Sequence, residues 1–419
     1  MKVGFVGLGK LGLPCAAALS VKISDKVYGF DLNPRVATFV ETCKIPYQEQ
    51  LCEDYLSNAS LEVLSSVEEL VERADLLFFA VQTPHEREYE GVTPVPTSKR
   101  DFDYSYLKSA VASVADALRK MPDKQLTLVV ISTVLPGTMR QEIFPLLEDV
   151  FSRVKFCYNP YFIAMGTTIP DYLDPEFVLL GERMPGDGDE LLSLYSRVHA
   201  APVRRMAIES AELTKVAYNT FIGFKIVFAN TIAEIVDSRG GNADEVTTAL
   251  AAADKRLISG KYLSAGMADG GGCHPRDQIA MSWLAETAGL STNIFEYLAK
   301  ARDAQTERQA KIVVEYAKKT GLPVTILGLA YKPDVNLTIG SPSLLLGHFL
   351  NQKGIDFKTF DPWVDQSGNL PEKANVFFVA TNHSLFKNLE LPKGSLVIDP
   401  WGSATKRQPD VTYVLPGRI

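Results

Sequence analysis

Residues 2–31 read KVGFVGLGKLGLPCAAALSVKISDKVYGFD. The β-branched and aromatic run 2–6 is followed by glycine-rich residues and then by the Ala-rich run 13–19, an order that predicts a strand, a tight turn and a helix. A second strand is predicted at 27–30. Strand, helix and strand in this order indicate a parallel sheet with helices packed on its faces.

Three glycines, Gly7, Gly9 and Gly12, fall between the first predicted strand and the helix. Glycines at this spacing allow a tight turn and let a pyrophosphate approach the helix N-terminus. Asp31 ends the second predicted strand, where a carboxylate can accept hydrogen bonds from an adenosine ribose. The pattern predicts dinucleotide binding, with NAD favoured because Asp31 would repel a 2′-phosphate, although Arg35 nearby could accommodate one. The alternative is a glycine turn without a ligand.

Further apolar runs continue the alternation of strand and helix. Runs 76–81 and 126–132 predict strands, and 106–118 predicts a helix between them. From 209 to 238 the chain has no proline and reads as one long helix, ended by glycines at 240–241. This helix is expected to connect two domains.

Strand and helix signals resume in the last quarter of the chain. They fall at 324–328, 344–350, 356–360, 374–380 and 396–398. The sequence therefore predicts an α/β protein with two Rossmann-like doubly wound domains joined by a long central helix. The expected boundaries are 1–200 for the N-terminal domain, 201–305 for a central helical region and 306–419 for the C-terminal domain.

Length and composition exclude several classes of protein. The chain has 419 residues, 46% of them apolar and 22% charged, which suits two or three domains with a large core and is unlike a disordered chain. A net charge of −7 offers no basic excess for a nucleic acid or an anionic membrane. No apolar run approaches the ~20 residues of a membrane helix. We therefore expect a soluble protein with no nucleic-acid or membrane partner.

The cysteines and histidines predict neither disulfides nor a metal site. Five cysteines, an odd number without a CxxC pair, fit neither a disulfide framework nor a zinc site. A reducing cytoplasm is the expected location. The five histidines show neither HxxxH nor HxH spacing, so no metal is expected.

One cysteine lies in a distinctive setting, the stretch GMADGGGCHPRD at 266–277. Cys273 follows consecutive glycines and precedes Pro275, which places it at a predicted helix N-terminus, where the helix dipole lowers the pKa of a thiol. Asp277 follows about one turn later, so its carboxylate could share that face and handle protons. The sequence favours a nucleophilic Cys273 over a small buried hydrophobe, which is the expected role of the other four cysteines.

Two more polar groups are candidates for a site. Glu212, Lys215 and Asn219 share one face of the long predicted helix. Either they form a solvated face with an ion pair, or they are buried and bind a ligand. Ser132 and Thr133 follow a predicted strand at the edge where α/β sheets bind ligands, although local turn chemistry explains them equally well.

In their order along the chain, these residues resemble the motifs of the UDP-glucose/GDP-mannose dehydrogenase family. The resembling segments are the glycine turn, 82–84, 132–134, 212–219, 270–277 and 328–333. Members of that family oxidise the C6 alcohol of a nucleotide sugar to a carboxylate, reducing two NAD through a thiohemiacetal and a thioester on a cysteine. The resemblance implies an N-terminal NAD domain, a homodimer through the central helix and a C-terminal domain that binds the nucleotide.

The resemblance also implies roles for individual residues. Cys273 would be the nucleophile, Lys215 would stabilise the developing oxyanion and Asn219 would help hold the site. Asp277 would take part in proton transfer and water activation, and Thr133 would position a water or the cofactor. The cofactor-binding residues would be Gly7, Gly9, Lys10, Leu11, Gly12, Asp31, Arg35, Thr83, Pro84, Ser132 and Thr133. The substrate-binding residues would be Tyr161, Phe162, Met165, Lys215, Asn219, Arg256, Lys261, Tyr262, Leu263, Gly270, Gly271, Cys273, Tyr331 and Lys332.

The chain departs from the family pattern in two segments. Residues 159–166 read NPYFIAMG where the family has Asn-Pro-Glu-Phe-Leu-x-Glu-Gly, so both glutamates are absent. In the family those carboxylates are linked to proton handling and thioester hydrolysis. After Lys332 the usual Asp-Asp-x-Arg is replaced by NLTI at 336–339.

The expected activity is the NAD-dependent oxidation of UDP-glucose to UDP-glucuronate. GDP-mannose or another nucleotide sugar is an alternative substrate, because 224–230 and 171–181 also resemble the GDP-mannose branch. The missing glutamates leave two further alternatives open. The chain could stall at the thioester or release an aldehyde, or it could be a non-catalytic paralogue that binds sugar nucleotides.

Overall fold

The computed structural model describes residues 1–254, 261–262, 264–287, 293–404 and 407–418, without the side chains at 231, 234, 235, 238 and 239. By its internal contacts the chain divides into two compact units. The first unit comprises residues 1–84 and 102–217, and the second comprises 85–101 and 218–419. The division into three regions at 200 and 305 stays a prediction.

The first unit is built on an eight-stranded sheet. Its strands are β1 (Val3–Val6), β2 (Val27–Phe30), β3 (Leu61–Val63), β4 (Leu76–Phe79), β5 (Leu126–Val130), β6 (Val154–Tyr158), β7 (Val178–Glu182) and β8 (Val203–Ala207). Their order is β3-β2-β1-β4-β5-β6-β7-β8, and all neighbours are parallel except β6 and β7. The chain winds outward from β1 in both directions, which confirms the predicted doubly wound arrangement.

Helices cover both faces of this sheet, because its central strands are largely apolar and buried along their whole length. Every residue of β1, β4 and β5 is buried, as expected for parallel strands that pack helices on both sides. The rings of Phe5 and Phe78 stack with centroids 4.7 Å apart in this core. The helices are α1 (Gly12–Ile23), α2 (Arg35–Thr42), α3 (Cys52–Asn58), α4 (Val67–Arg73), α5 (Ser105–Lys120), α6 (Phe144–Leu147), α7 (Thr168–Leu173) and α8 (Asp189–Tyr195).

The second unit contains a smaller parallel sheet. Among its described residues the strands are β9 (Val324–Leu327), β10 (Phe357–Phe360), β11 (Val376–Val379), β12 (Leu396–Ile398) and β13 (Thr412–Val414), in the order β10-β9-β11-β12-β13. Apolar side chains from both faces of β9, β11 and β12 enter two hydrophobic clusters, one on each side. This sheet matches the second predicted α/β domain.

The second unit also contains five α-helices among its described residues. The helices are α9 (Ile208–Arg239), which crosses from the first unit at residues 217–218, α10 (Ala243–Ala251), α11 (His274–Thr287), α12 (Ile294–Thr320) and α13 (Pro342–Gln352). Helix α9 confirms the predicted connecting helix within one residue at each end. In the part of the chain that the structure describes, no helix is long and apolar enough to cross a bilayer.

Candidate active site

The glycine turn joins β1 to α1 in a conformation that needs its glycines. Gly7 has a φ of +94°, and a Cβ on Gly12 would lie 2.1 Å from the Gly7 carbonyl oxygen. A Cβ on Gly9 would meet no described atom within 4 Å, so the turn is open on that side. The turn therefore leaves space for a pyrophosphate beside the start of α1.

Asp31 follows β2 and fixes the turn. Its Oδ2 accepts the backbone N–H of Leu8 at 2.7 Å, and its Oδ1 accepts that of Asn33 at 2.7 Å. The residue is partly exposed, and each carboxylate oxygen keeps a second lone pair that a ribose hydroxyl can use. Two more expected cofactor-binding residues, Lys10 and Leu11, lie in the glycine turn just before α1. A third, Arg35, is the first residue of α2.

The segments after β4 and β5 meet at the same edge of the sheet. The Thr83 hydroxyl donates to the Thr133 carbonyl at 3.0 Å, and the Ser132 hydroxyl donates to the Val81 carbonyl at 2.7 Å. Because β1, β4 and β5 are adjacent and parallel, these segments and the glycine turn leave the sheet side by side. The structure thus brings the expected cofactor residues Thr83, Pro84, Ser132 and Thr133 to one edge.

Glu212 on α9 holds the next part of the segment after β5. Its carboxylate accepts the backbone N–H of Gly137 at 2.6 Å and that of Met139 at 2.8 Å. Burial raises the pKa of Glu212 to about 7, against the opposing effect of the two N–H donors. The helix face that carries Glu212 and Lys215 is therefore buried, and the alternative of a solvated ion pair does not apply.

Lys215 lies beside the segment that follows β6. Its side chain is buried, and its Nζ lies 4.9 Å from the centroid of the Phe162 ring. The Tyr161 hydroxyl oxygen forms a hydrogen bond with the Tyr195 hydroxyl oxygen at 3.1 Å. Burial raises the pKa of Tyr161 well above its usual value, so its hydroxyl stays protonated. With Met165, which is also uncharged, this segment offers no carboxylate where the family pattern has two.

Cys273 is exposed and directly precedes α11 in the second unit, as the sequence predicts. All five cysteines fall among the described residues, and the others are buried or partly buried. Burial raises the pKa of Cys15 and of Cys157, and it raises that of Cys52 to about 12. Those three thiols are therefore inert near neutral pH, Cys43 is only partly exposed, and Cys273 is the exposed candidate for a nucleophile.

Asp277 lies on the first turn of α11, and its N–H donates to the carbonyl of Cys273 at 2.8 Å. Its fully buried carboxylate is paired on both oxygens. Asn219 Nδ2 donates to Oδ2 at 2.6 Å, and Arg276 Nε donates to Oδ1 at 2.9 Å. The structure thus joins three residues that the sequence predicts for one site, Cys273, Asp277 and Asn219.

The glycines before Cys273 leave space for the segment after β9. A Cβ on Gly271, which has a φ of +87°, would lie 2.9 Å from the Tyr331 ring, and one on Gly270 would lie 2.8 Å from Pro342. The Lys332 Nζ lies 5.8 Å from the centroid of the Tyr331 ring. These expected substrate residues are therefore neighbours in the second unit.

Four further predicted substrate residues are Arg256, Lys261, Tyr262 and Leu263. Lys261 and Tyr262 are exposed, and Tyr262 has a φ of +64°. Arg256 and Leu263 lie outside the described residues. Their assignment to the substrate stays a prediction.

A buried ion pair beside this cluster was not predicted. Arg302 is 1% exposed, and its Nε lies 3.3 Å from Asp269 Oδ1. Asp269 also accepts Gln278 Nε2 at 2.6 Å. The helix 294–320 contains many charged residues, and most such residues on a helix are exposed to solvent. Nothing in the sequence distinguishes Arg302 from them. One sequence feature does hint at a buried ion pair: Asp269 lies among the small residues of the segment 266–272.

Three segments of the chain match one protein family. Residues 1–199 match the NAD binding domain of the UDP-glucose/GDP-mannose dehydrogenase family, residues 209–304 match its central domain, and residues 325–406 match its UDP binding domain. The open glycine turn with Asp31 fits the cofactor that the first match indicates, which is NAD.

Whole proteins and a solved structure agree with these matches. GDP-mannose 6-dehydrogenase of Pseudomonas savastanoi pv. phaseolicola is 30% identical over 375 residues, 87% of this chain and 82% of the relative. UDP-glucose 6-dehydrogenase AglM of Haloferax volcanii is 26% identical over 97% of this chain and 98% of its own. The structure of a UDP-glucose dehydrogenase from Pyrobaculum islandicum shares the fold, with a TM-score of 0.86, 24% identity and coverage of 100% of this chain and 98% of that chain. The chain therefore belongs to the UDP-glucose/GDP-mannose dehydrogenase family of NAD-dependent nucleotide-sugar dehydrogenases.

Proposed function

We propose that this protein oxidises the C6 alcohol of UDP-glucose to the carboxylate of UDP-glucuronate, with Cys273 as the covalent nucleophile. The observation that carries the proposal is the exposed Cys273 at the start of α11, one turn before the paired carboxylate of Asp277. A thiol that attacks an aldehyde and then carries the acyl group must be accessible and reduced. A cytoplasmic location suits that requirement.

The cofactor would lie at the carboxyl edge of the first sheet. Gly7, Gly9 and Gly12 leave room for the pyrophosphate, and Asp31 offers lone pairs to the adenosine ribose. NAD bound there supplies a two-electron hydride acceptor, and each sugar requires two of them. Thr133 follows β5 at the same edge, where it can position the reacting groups.

Lys215 and Asn219 are proposed to stabilise the oxygen that becomes negative when the thiol attacks. They lie one turn apart on α9, and both are about 6% exposed. A buried ammonium stabilises a developing oxyanion strongly because little water screens it. The Asn219 amide also holds the Asp277 carboxylate at 2.6 Å.

UDP-glucose is the proposed substrate, with GDP-mannose as the alternative. Support for the uridine nucleotide comes from the match of residues 325–406 to a UDP binding domain. The relatives include both GDP-mannose and UDP-glucose 6-dehydrogenases, so the choice needs an experiment.

The test is the end-point amount of NADH formed from limiting UDP-glucose, with GDP-mannose in parallel. Two NADH per UDP-glucose are expected, together with UDP-glucuronate. A Cys273→Ala variant should form none, whereas a Cys43→Ala variant controls for loss of an unrelated thiol. If the protein oxidises GDP-mannose but not UDP-glucose, the proposed substrate is wrong and GDP-mannose takes its place. A Cys273→Ala variant that forms uronate at the normal rate would disprove the mechanism.

We also propose that the protein is a homodimer through α9. Phe221, Phe224 and Phe228 lie three and four residues apart on this helix, so they share one face. Each is at least 40% exposed, and such an apolar stripe is typical of an interface. Sedimentation should give a dimer for the wild type and a monomer for Phe224→Glu. A monomeric wild type at micromolar concentration would disprove the proposal.

A further inference from the structure

Arg302 is a buried arginine on α12 whose guanidinium joins three separate segments of the second unit. Its Nε donates to the Asp269 carbonyl at 3.1 Å. Its Nη2 donates to the Gly91 carbonyl at 2.9 Å and to the Gly340 carbonyl at 3.4 Å. A guanidinium presents several N–H donors in one rigid plane, so it can hold several carbonyls at once. One side chain therefore fixes the loop before α11, the segment 85–101 and the segment after β9.

Two carboxylates balance the charge of Arg302. Its Nε lies 3.3 Å from Asp269 Oδ1, and its Nη1 lies 3.3 Å from Asp303 Oδ1. Asp303 also accepts the Val95 N–H at 2.7 Å. Removing one partner of a buried ion pair leaves an uncompensated charge, whereas replacing both partners by neutral groups is often neutral for stability. The contacts of Arg302 can therefore be removed with little loss of stability if Asp269 is neutralised in the same variant.

The Asp269 side chain connects the loop to α11. Its Oδ2 accepts Gln278 Nε2 at 2.6 Å and lies 4.0 Å from Nδ1 of His274, the residue after Cys273. Asp269 and Gln278 are at most 2% exposed, so little water competes for their hydrogen bond. Helix α9 packs over this bond, because a Cβ on Gly223 would lie 2.2 Å from Gln278 Nε2. Asp269 thus anchors the loop to the helix that Cys273 precedes.

Three glycines separate Asp269 from Cys273. Glycine restricts the backbone less than other residues do, so this loop needs outside contacts to keep one conformation. Gly271 has a φ of +87°, and its carbonyl oxygen would lie 2.3 Å from a Cβ on Gly340. Arg302 holds the carbonyl of Gly340 as well as that of Asp269, so it fixes both the loop and the segment on which the loop packs.

The segment 85–101 supports α11 just after Cys273. Gly91 has a φ of +72°, and a Cβ at this position would lie 2.6 Å from the Pro275 ring. Pro275 lies in the first turn of α11, two residues after Cys273. Because Arg302 holds the Gly91 carbonyl, it supports the chain on both sides of Cys273.

We propose that Arg302, paired with Asp269, is a positioning residue that holds the Cys273 thiol in the orientation needed to attack the substrate. This inference rests on the proposed function. Arg302 acts through the backbone of the loop and of the two segments that pack around it. A misplacement of about 1 Å at a reacting group costs about a hundredfold in rate. Release of the loop should therefore lower kcat.

The test is the double variant Arg302→Met with Asp269→Asn, in the full chain with excess NAD and UDP-glucose. We expect kcat to fall about a hundredfold while KM changes by less than about threefold and the urea midpoint of unfolding is unchanged. The amides of 270–273 should exchange hydrogen at least about tenfold faster, measured by mass spectrometry, because the loop opens more often. Guanidinium ions at millimolar concentration should restore kcat in Arg302→Ala, and potassium ions should not.

The matched control is Glu307→Gln with Lys353→Met. This variant removes another ion pair of α12, in which Lys353 Nζ lies 2.8 Å from Glu307 Oε1. It should leave kcat and the hydrogen exchange of 270–273 as they are in the wild type.

The outcomes separate this inference from the proposed function. If wild-type protein forms no NADH with any nucleotide sugar, the proposed function is wrong, while hydrogen exchange still decides whether Arg302 holds the loop. If wild-type protein turns over and the double variant keeps its kcat, the positioning role alone is wrong. If kcat and the urea midpoint fall together and guanidinium does not restore kcat in Arg302→Ala, Arg302 serves only the fold and the inference is also overturned.

Discussion

The turn after β1 and the turn after β9 have the same backbone design. Gly7 has a φ of +94° and donates its N–H to the carbonyl that ends β2, at 2.8 Å. Gly328 has a φ of +92° and donates to the carbonyl that ends β10, at 2.9 Å. Each turn is also held by the aspartate after the neighbouring strand. Asp31 accepts one N–H of the first turn, and Asp361 accepts two of the second.

The two turns differ in what covers them. At the first, Gly9 faces open space and α1 starts directly at Gly12. At the second, the corresponding Ala330 is buried, and Thr381 lies over the turn and donates its hydroxyl to the Ala330 carbonyl at 2.6 Å. Helix α13 begins only at Pro342. The same turn thus offers a ligand site in one sheet and is closed by side chains in the other.

Asp361 shows how the second turn is closed. His383 Nδ1 accepts the Asp334 N–H at 2.8 Å, so the ring proton is on Nε2, which lies 3.2 Å from Asp361 Oδ2. The Trp363 ring stacks on His383 at 4.3 Å. Burial alone would raise the pKa of Asp361, but His383 and the two backbone donors outweigh it and lower the pKa to about 2. This carboxylate stabilises the fold and is not available to a ribose.

The largest expected effect is the loss of stability in Asp361→Asn. Asp361 Oδ2 is within hydrogen-bond distance of Leu329 N, Ala330 N and His383 Nε2, and Oδ1 accepts the N–H groups of Trp363 and Val364. An amide replaces one of these oxygens by an NH₂ group and loses the hydrogen bonds on that side, and hydrogen bonds to a buried charge contribute about 1.5–3 kcal/mol each. We expect the free energy of unfolding to fall by about 3 kcal/mol, while the Kd for NAD is unchanged. Urea unfolding followed by tryptophan fluorescence measures this, because all three tryptophans lie in the second unit. Weaker NAD binding at unchanged stability would contradict the comparison.

The next effect is on NAD affinity in Gly12→Ala. The added Cβ would lie 2.1 Å from the Gly7 carbonyl oxygen, so α1 must move away from the turn. We expect the Kd for NAD to rise about a hundredfold, or about 2.7 kcal/mol, measured by calorimetric titration. Gly347→Ala on α13, after the second turn, is the matched control, because the atoms nearest to its new Cβ belong to the side chain of Phe357, from 3.0 Å, and not to backbone. An equal loss in both variants would show that the first turn is not the NAD site.

Local patterns predicted much of this architecture. Strands β2 and β12 were predicted with their observed bounds, and the start of α11 after Cys273 was also predicted. The spacing of apolar residues and the positions of glycines predict these elements. Both features involve only a few neighbouring residues, so they can be read directly from the sequence. Residues 3–9, VGFVGLG, and residues 324–330, VTILGLA, show such a local similarity, and each contains the glycine that opens its turn.

Long-range partners were not predictable in the same way. No predicted element covers residues 85–101, yet Gly91 and Val95 contact residues more than two hundred positions later. The antiparallel pairing of β7 with β6 likewise depends on a chain reversal that no local pattern marks. Whether a polar residue is exposed or buried with a partner depends on contacts made only in the folded chain. Arg302 was missed for this reason.

A smaller effect is expected from pH on the second turn. Because the pKa of Asp361 is about 2 when folded and about 3.9 when unfolded, its ionised form stabilises the fold above pH 4. This contribution, about 2 kcal/mol, is lost as the pH falls from 4 to 2. The difference in unfolding free energy between wild type and Asp361→Asn should therefore shrink over that range. A difference that stays constant from pH 7 to pH 2.5 would contradict the assignment.

The smallest expected effect is that of Asp31→Asn. The amide oxygen can still accept the Leu8 N–H, and the Asn33 N–H that loses its acceptor is exposed, so water can replace that bond. The free energy of unfolding should therefore change by less than about 0.5 kcal/mol. The Kd for NAD should rise about tenfold, because a neutral amide is a weaker acceptor for the ribose hydroxyls, and the preference for NAD over NADP should narrow. Calorimetric titration with both cofactors measures this. If Asp31→Asn instead lowers stability like Asp361→Asn and leaves NAD affinity intact, both aspartates serve only to fix their turns.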